Sequence, residues 1–195
     1  MAQESRRERK KRATRNKILN TALSLFAENG YEKVRVEDIR EKVDIANATF
    51  FAYFPTKVSL IKAFGEDLIG AITDRLDEYE GGAIDRLEIL RVIYFDEWAA
   101  HIELLRVLLA DPGSPEALAI SAVAEDLLDI IEELTQAGQQ EGAISKGYDA
   151  RLVAHCIMGG WRAAMINFLR SGDHTAATSA NRQILDIVLG GAATD

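Results

Sequence analysis

Between Val36 and Lys57 the chain reads VEDIREKVDIANATFFAYFPTK, and this stretch narrows the possible folds more than any other. Val36, Ile39 and Val43 recur at helical spacing over two turns. Asn47 to Phe54 reads as a second short helix that must end at Pro55, because the residue before a proline is pushed out of α geometry. Only the triplet Asp44-Ile45-Ala46 separates the two segments. Two helices of about two turns joined by so tight a turn form a helix-turn-helix. The first braces the pair and the second offers its N-terminal residues to the DNA major groove, which is wide enough to admit it.

Four aromatic rings crowd positions 50–54, and helical geometry divides them. Phe50 and Phe54, four residues apart, share a face and are expected to pack inward with Val36 and Ile39 around a buried Ile45. Phe51 and Tyr53 point elsewhere, where a ring can lie against sugar or a thymine methyl and a phenol can donate to phosphate. Lys57, in the first turn of the next helix, places a positive charge beside a helix N-terminus and is expected to complement phosphate. The competing reading is a helical hairpin in which every ring is core; for Phe50 and Phe54 the two readings agree.

The rest of the sequence is helical throughout. Ile18, Leu19, Ala22, Leu25 and Phe26 mark a helix over about 12–28, stopped by Asn29-Gly30. Thr56 is a natural N-cap for a long helix bearing Leu60, Ile61, Phe64, Leu68 and Ile72. After Gly81-Gly82 comes a segment that is apolar nearly all round, read as a central buried helix broken near Asp96. Ser114-Pro115 starts a helix over about 116–140, and two apolar helices follow at about 149–171 and 176–190. The expected class is all-α. Residues 1–11 are expected to be a disordered basic arm, 12–55 the helix-turn-helix domain, and 56–195 a second helical domain.

The net charge of −8 hides an asymmetry: residues 1–64 carry +6 and residues 65–195 carry −14. One end of such a chain suits a polyanion and the other repels it, although a solvated bias without a partner gives the same count. Cys156 is the single cysteine, so no internal disulfide framework exists; its apolar surroundings suggest buried filler, and its solitude a reducing cytoplasm. His155, Arg162 and Asn167 interrupt the longest apolar stretch, which argues against a membrane span. No phosphate loop, dinucleotide glycine pattern or HExxH occurs, and His101, His155 and His174 lie far apart. Neither an enzyme nor a metal or cofactor site is expected.

Thr14-Arg15, Ile18-Leu19, Ala22, Leu25-Phe26, Gly30-Tyr31, Ile39, Thr49-Phe50-Phe51, Tyr53-Phe54, Lys57 and Leu60 keep their spacing over about 47 residues. In this, residues 14–60 resemble the DNA-binding domain of the TetR family of transcriptional regulators. The resemblance implies a ligand-responsive regulator, a repressor that binds a palindromic operator as a homodimer through double-stranded DNA contacts. It implies that Asn47 and Ala48 face base edges and that Thr49, Tyr53 and Lys57 anchor phosphates, with Phe51 keeping a stacking surface where the family has Tyr. Three departures bear on the fold. Asp44 stands where a small residue is usual and must tolerate a left-handed turn. Ala46 replaces a Ser cap, so that cap must come from elsewhere or be missing. Arg40 must turn outward. A DNA-binding or helical interaction protein that reads no sequence and has no ligand is the rival reading. The RRERKKR run (Arg6 to Arg12) is either a solvated tail or a DNA-contacting arm.

The resemblance also implies a small-molecule effector in the second domain. Leu87, Leu90, Tyr94, Trp98, His101 and Leu105 form a stripe whose ring edges can hydrogen bond, which suits a pocket wall and equally a plain core. Met158, Trp161, Met165 and Phe168 are a second candidate wall. Gly159/Ala163 and Gly160/Ala164 are small pairs four apart that permit close helix approach, and Ile184, Leu185, Val188 and Leu189 give the last helix an apolar stripe. In the family the last two helices pair with their two-fold mates, so these residues are the expected dimer interface.

Overall fold

The computed structural model describes residues 5–191. Among them are nine α-helices: α1 Arg6–Asn29, α2 Val36–Val43, α3 Asn47–Tyr53, α4 Val58–Asp77, α5 Ala83–Ala100, α6 Ile102–Ala110, α7 Pro115–Glu141, α8 Ala150–Ser171 and α9 His174–Gly191, with a 3-10 turn at Tyr31–Lys33. The all-α expectation holds.

The contacts divide the chain into two compact units, one reaching Gly65 and regaining His101–Ile120, the other made of Glu66–Ala100 and the chain from Ser121 onward. A single cut before Thr56 is therefore not how the molecule partitions. The first turns of α4 fall in the same unit as the helix-turn-helix, and α6 joins that unit through α1 and the 3-10 turn.

In the first unit, Ile18, Leu19, Ala22 and Phe26 of α1 meet Ile39, Val43, Phe50 and Phe54, all buried, as the 3.6-residue periodicity requires. Thr56 acts as a cap: its Oγ1 accepts the Ser59 N–H at 3.1 Å. The disordered arm expected over 1–11 is corrected from Arg6 onward. Ser5 and Glu8 form a reciprocal capping box, with Glu8 N–H to Ser5 Oγ at 3.2 Å and Ser5 N–H to Glu8 Oε2 at 2.9 Å. Arg, Lys, Glu and Ala then carry the helix inward on propensity. Residues 1–4 of that arm lie outside the described residues.

In the second unit, α8 and α9 pack antiparallel, and α9 also packs on α5. Asp149 caps α8 through Leu152 N–H at 2.9 Å, and Gly172, at φ 68°, turns the chain into α9. Arg151 pairs with Glu125 at 2.8 Å, Glu132 at 3.1 Å and Asp129, tying α8 to α7. The central apolar segment breaks at His101 rather than near Asp96. Cys156 is exposed on α8, not buried filler.

Candidate nucleic-acid interface and ring cluster

The turn between α2 and α3 is held from three sides. Asp44 adopts φ 61° and ψ 60°, the left-handed conformation that Asp tolerates better than most residues. Its N–H reaches Glu41 O at 3.2 Å, and Ile45 N–H reaches Arg40 O at 3.1 Å. From α1, the Lys17 ammonium donates to Val43 O at 2.9 Å, a cation satisfying a carbonyl at the C-terminal end of α2. The spacing pattern gave no hint of Lys17 in this role. Ile45 itself is half-buried, less enclosed than expected.

Ala46 offers α3 no side-chain cap, as its identity requires. Phe50 and Phe54 are buried, with ring centroids 6.1 Å apart, and Phe51 meets Phe50 edge-on at 5.4 Å. Fixing those two rings inward turns Asn47, Ala48 and Phe51 outward, and all three are exposed. Thr49 and Tyr53 are half-buried on the flanks of the helix. The outward set combines an amide able to pair bidentately with a base edge, a methyl, and a ring 42% exposed that can lie on a thymine methyl or sugar. Arg40 is partly exposed, with Glu41 at 3.4 Å.

Lys57 departs from expectation. Its ammonium donates to the Tyr31 carbonyl and sits 3.8 Å from the Tyr31 ring centroid and 5.6 Å from that of Phe26. Burial holds its pKa below the ordinary lysine value, opposed by Glu32 and Glu116. The Tyr31 hydroxyl donates to Glu116 Oε1 at 3.0 Å, so one tyrosine ties the start of α4 to the start of α7. Burial, reinforced by the Glu116 charge, pushes the Tyr31 phenol up. Lys57 thus braces the domain from within: one carbonyl and two ring faces hold the ammonium in place, although burial disfavours its charge. Gly30-Tyr31 was visible as a motif; Glu116 carried no signal.

In the second unit the two candidate walls meet. The Tyr94 ring of α5 stacks on Trp161 of α8 at 5.8 Å and 27°, and meets Trp98 edge-on at 6.4 Å. Trp161 and Met165 are buried and Met158 is half-buried. Burial pushes the Tyr94 phenol up to about 12, with the positive charge of Arg162 opposing. Beside them Phe95, Phe168 and His174 form a second ring triad with centroids 5.3–6.0 Å apart. His101 does not extend the stripe: the helix ends before it, and its ring packs on Phe64 at 4.6 Å within the first unit.

Polar atoms are buried in this second interior without hydrogen-bond partners: Arg91 Nη1, Trp161 Nε1 and both amide atoms of Asn181. The Phe168–His174 contact and the approach of Ile184 to Gly160 fix the register of α8 against α9. Asn181 therefore falls between these points, near the level of Trp161.

The expected dimer residues divide between two faces. A Cβ on Gly160 would meet Ile184 Cγ2 at 2.3 Å, and Ala164 and Leu185 are buried, so these serve the α8–α9 contact within the chain. Ile184 and Val188 are half-buried at its edge. Gly159 and Ala163 are exposed, with nothing within 4 Å of a Cβ on Gly159. They line the outer side of α8 with Leu152, 57% exposed, while Ile187 of α9 is 71% exposed. Among the described residues α8 alone is long and apolar enough to cross a membrane.

Known proteins share the fold and the N-terminal domain. The model of the bacterial regulatory proteins of the tetR family matches residues 18–64. The chain is 22% identical over 189 residues to the fatty acid metabolism regulator protein of Bacillus subtilis (strain 168), covering 94% of this chain and 97% of that one. It is 36% identical over 93 residues to the HTH-type transcriptional repressor KstR of Mycolicibacterium smegmatis, 46% of this chain and 43% of the relative. The solved structure of the transcriptional regulator FadR from Bacillus subtilis in complex with stearoyl-CoA superposes with a TM-score of 0.73 at 21% identity, covering 90% of this chain and 97% of that one.

Proposed function

Through residues 18–64 the chain belongs to the tetR family of bacterial regulatory proteins, and on that premise we propose a repressor that binds a palindromic operator as a homodimer and releases it when an acyl-CoA thioester occupies the second unit. The observation that carries the DNA-binding part is the outward trio Asn47, Ala48 and Phe51, on a helix locked by the Asp44 turn and the buried Phe50. Asn47 and Ala48 meet base edges, while Phe51, Thr49 and Tyr53 touch sugar and phosphate.

A single short recognition helix binds weakly, and two of them on a dimer engage half-sites about 34–36 Å apart. The partner covers the outer side of α8 and α9, with Gly159, Ala163, Leu152 and Ile187 at the contact; this supplies a cover for the apolar surface that makes α8 resemble a membrane span. A bacterial cytoplasm is the setting that such a protein requires.

For the effector, the supports are the ring cluster of Tyr94, Trp98 and Trp161, the donors buried among these helices, and the FadR relatives. The apolar rings suit an acyl chain. The indole N–H of Trp161 and the amide of Asn181 suit a thioester carbonyl. Such a molecule changes DNA affinity only by preferring one arrangement of the protein over another.

Selection from random duplexes tests the regulator reading. A palindromic consensus is expected. Binding without a consensus would instead favour the rival, a nucleoid-type protein that reads no sequence, for which the basic first turns of α1 are the specific support.

A further inference from the structure

The RRERKKR run lies ahead of the buried part of α1, yet it is ordered as the first two turns of that helix. Every residue from Arg6 to Ala13 is exposed, and the first buried side chain of the helix is Ile18. The twelve residues ahead of Ile18 make about 18 Å of helix at 1.5 Å per residue. Six of the seven residues in the run are basic and the seventh is Glu8.

By itself such a segment is electrostatically unfavourable. Arg6 and Lys10, and Arg7 and Lys11, are like-charged pairs one turn apart. Cations at a helix N-terminus also oppose the macrodipole. The Ser5–Glu8 capping box holds the turn against this repulsion. The helix is then pinned to its neighbours by Lys17 on the Val43 carbonyl and by the Arg15 guanidinium 5.9 Å from the Phe54 ring centroid. Both pins lie at the C-terminal ends of α2 and α3, so the cationic turns leave the helix-turn-helix on a fixed heading.

We propose that residues 6–12 form a rigid cationic strut that lies along the phosphate backbone flanking the bases read by α3, adding affinity without adding sequence preference. This rests on the DNA-binding reading of the helix-turn-helix. An extended arm could enter a minor groove about 6 Å wide, whereas a helix is about 10–12 Å across with its side chains, so this segment meets phosphates rather than base edges. Its charges point all round the axis, and roughly half can face the duplex together. A lipid surface is a poorer match, because the run contains no apolar side chain to enter a headgroup layer.

The test is the full-length variant Arg6→Gln/Arg7→Gln/Lys10→Gln/Lys11→Gln, which keeps Ser5, Glu8 and good helix formers. Its binding to the selected operator and to a random duplex of equal length is followed against salt concentration. The strut predicts that affinity falls by the same factor on both duplexes, on the order of tenfold. The slope of log K against log salt should shrink by roughly two to three, at about 0.9 per lost phosphate contact.

A second variant, Ala13→Pro, keeps every charge but breaks the helix ahead of the core, and should show the same losses. An unchanged slope in the quadruple variant overturns the proposal. A wild-type slope for Ala13→Pro overturns the rigid strut in favour of a loose charged tail, and a changed base preference overturns the phosphate assignment. If the wild type selects no operator but the quadruple variant still flattens the slope on random duplex, the sequence-specific reading falls and the strut stands.

Discussion

In the unit built on α1–α3, long polar side chains that turn inward end on partners: Lys17 on the Val43 carbonyl at 2.9 Å, Lys57 on the Tyr31 carbonyl, the Tyr31 hydroxyl on Glu116 at 3.0 Å. In the unit containing α5, α8 and α9, Arg91 Nη1, Trp161 Nε1 and the Asn181 amide reach none. DNA has a fixed repeat, and a surface that meets it gains from a scaffold that cannot shift. An interior that senses a small molecule gains from groups whose pairing that molecule completes, since a buried amide left unpaired costs about 1–3 kcal/mol. On the proposed function the contrast is a division of labour: rigidity where geometry would be read, incomplete pairing where occupancy would be sensed.

The largest expected effect sharpens the contrast inside the second unit. Gly160→Glu drives a side chain into Ile184 and buries a charge, and should abolish cooperative unfolding in a thermal melt. Gly159→Glu, one residue along and facing outward, should still unfold cooperatively, at a lower melting temperature that no longer depends on protein concentration, and sediment as a monomer with strongly weakened operator binding. A Gly159→Glu protein that remains dimeric would place the interface elsewhere.

Next come two substitutions in the first unit that separate reading from bracing. Asn47→Ala should cost about 1–3 kcal/mol on the operator and relax base preference at one position, without changing stability. Lys57→Ala should instead lower stability to urea by about 1–3 kcal/mol through loss of its carbonyl and ring contacts. If Lys57→Ala left urea stability intact while weakening binding to all duplexes alike, the lysine would be a phosphate anchor after all.

Asn181→Leu is the converse case. Replacing an unpaired buried amide by an apolar group of similar size should raise the melting stability by about 1 kcal/mol while weakening the response to acyl-CoA. A destabilised variant would mean that the amide is already well paired in solution.

The smallest effect is on alkaline stability. The phenols of Tyr31 and Tyr94 are both held above the ordinary value of 10.0, so the folded chain keeps protons that the unfolded chain releases. Their contribution is full below pH 10 and declines above it. Tyr31→Phe should therefore flatten the stability loss above pH 10, measured as the urea midpoint against pH.

The helix-turn-helix was legible because its signals are local. Apolar spacing, the Pro55 stop and a residue fit for the left-handed turn at Asp44 all lie within a few residues of the structure they cause. The role of Lys57 was hidden because its partner, Tyr31, is 26 residues away and a ring face leaves no mark in a sequence pattern. The helical start of α1 was hidden by its own charge: Ser5 and Glu8 spell a capping box, but six basic residues read as a disordered tail.

Nor does an unbroken apolar pattern show the break at His101, where no glycine or proline marks a stop. Small residues on α8 announce close approach without saying to what. Gly160 meets the chain's own α9 and Gly159 faces away, a distinction of 100° around a helix that spacing alone leaves open.

The most direct test of the division between the units is an equilibrium titration of operator binding by the intact wild-type protein with stearoyl-CoA present and absent, followed alongside by the intrinsic fluorescence of its two tryptophans, Trp98 and Trp161. Occupancy of the second unit should shift the tryptophan emission and lower operator affinity by about 5–150-fold, and operator should lower thioester affinity by the same factor. Saturating stearoyl-CoA that perturbs the tryptophan emission while operator affinity stays unchanged would contradict the coupling of the two units.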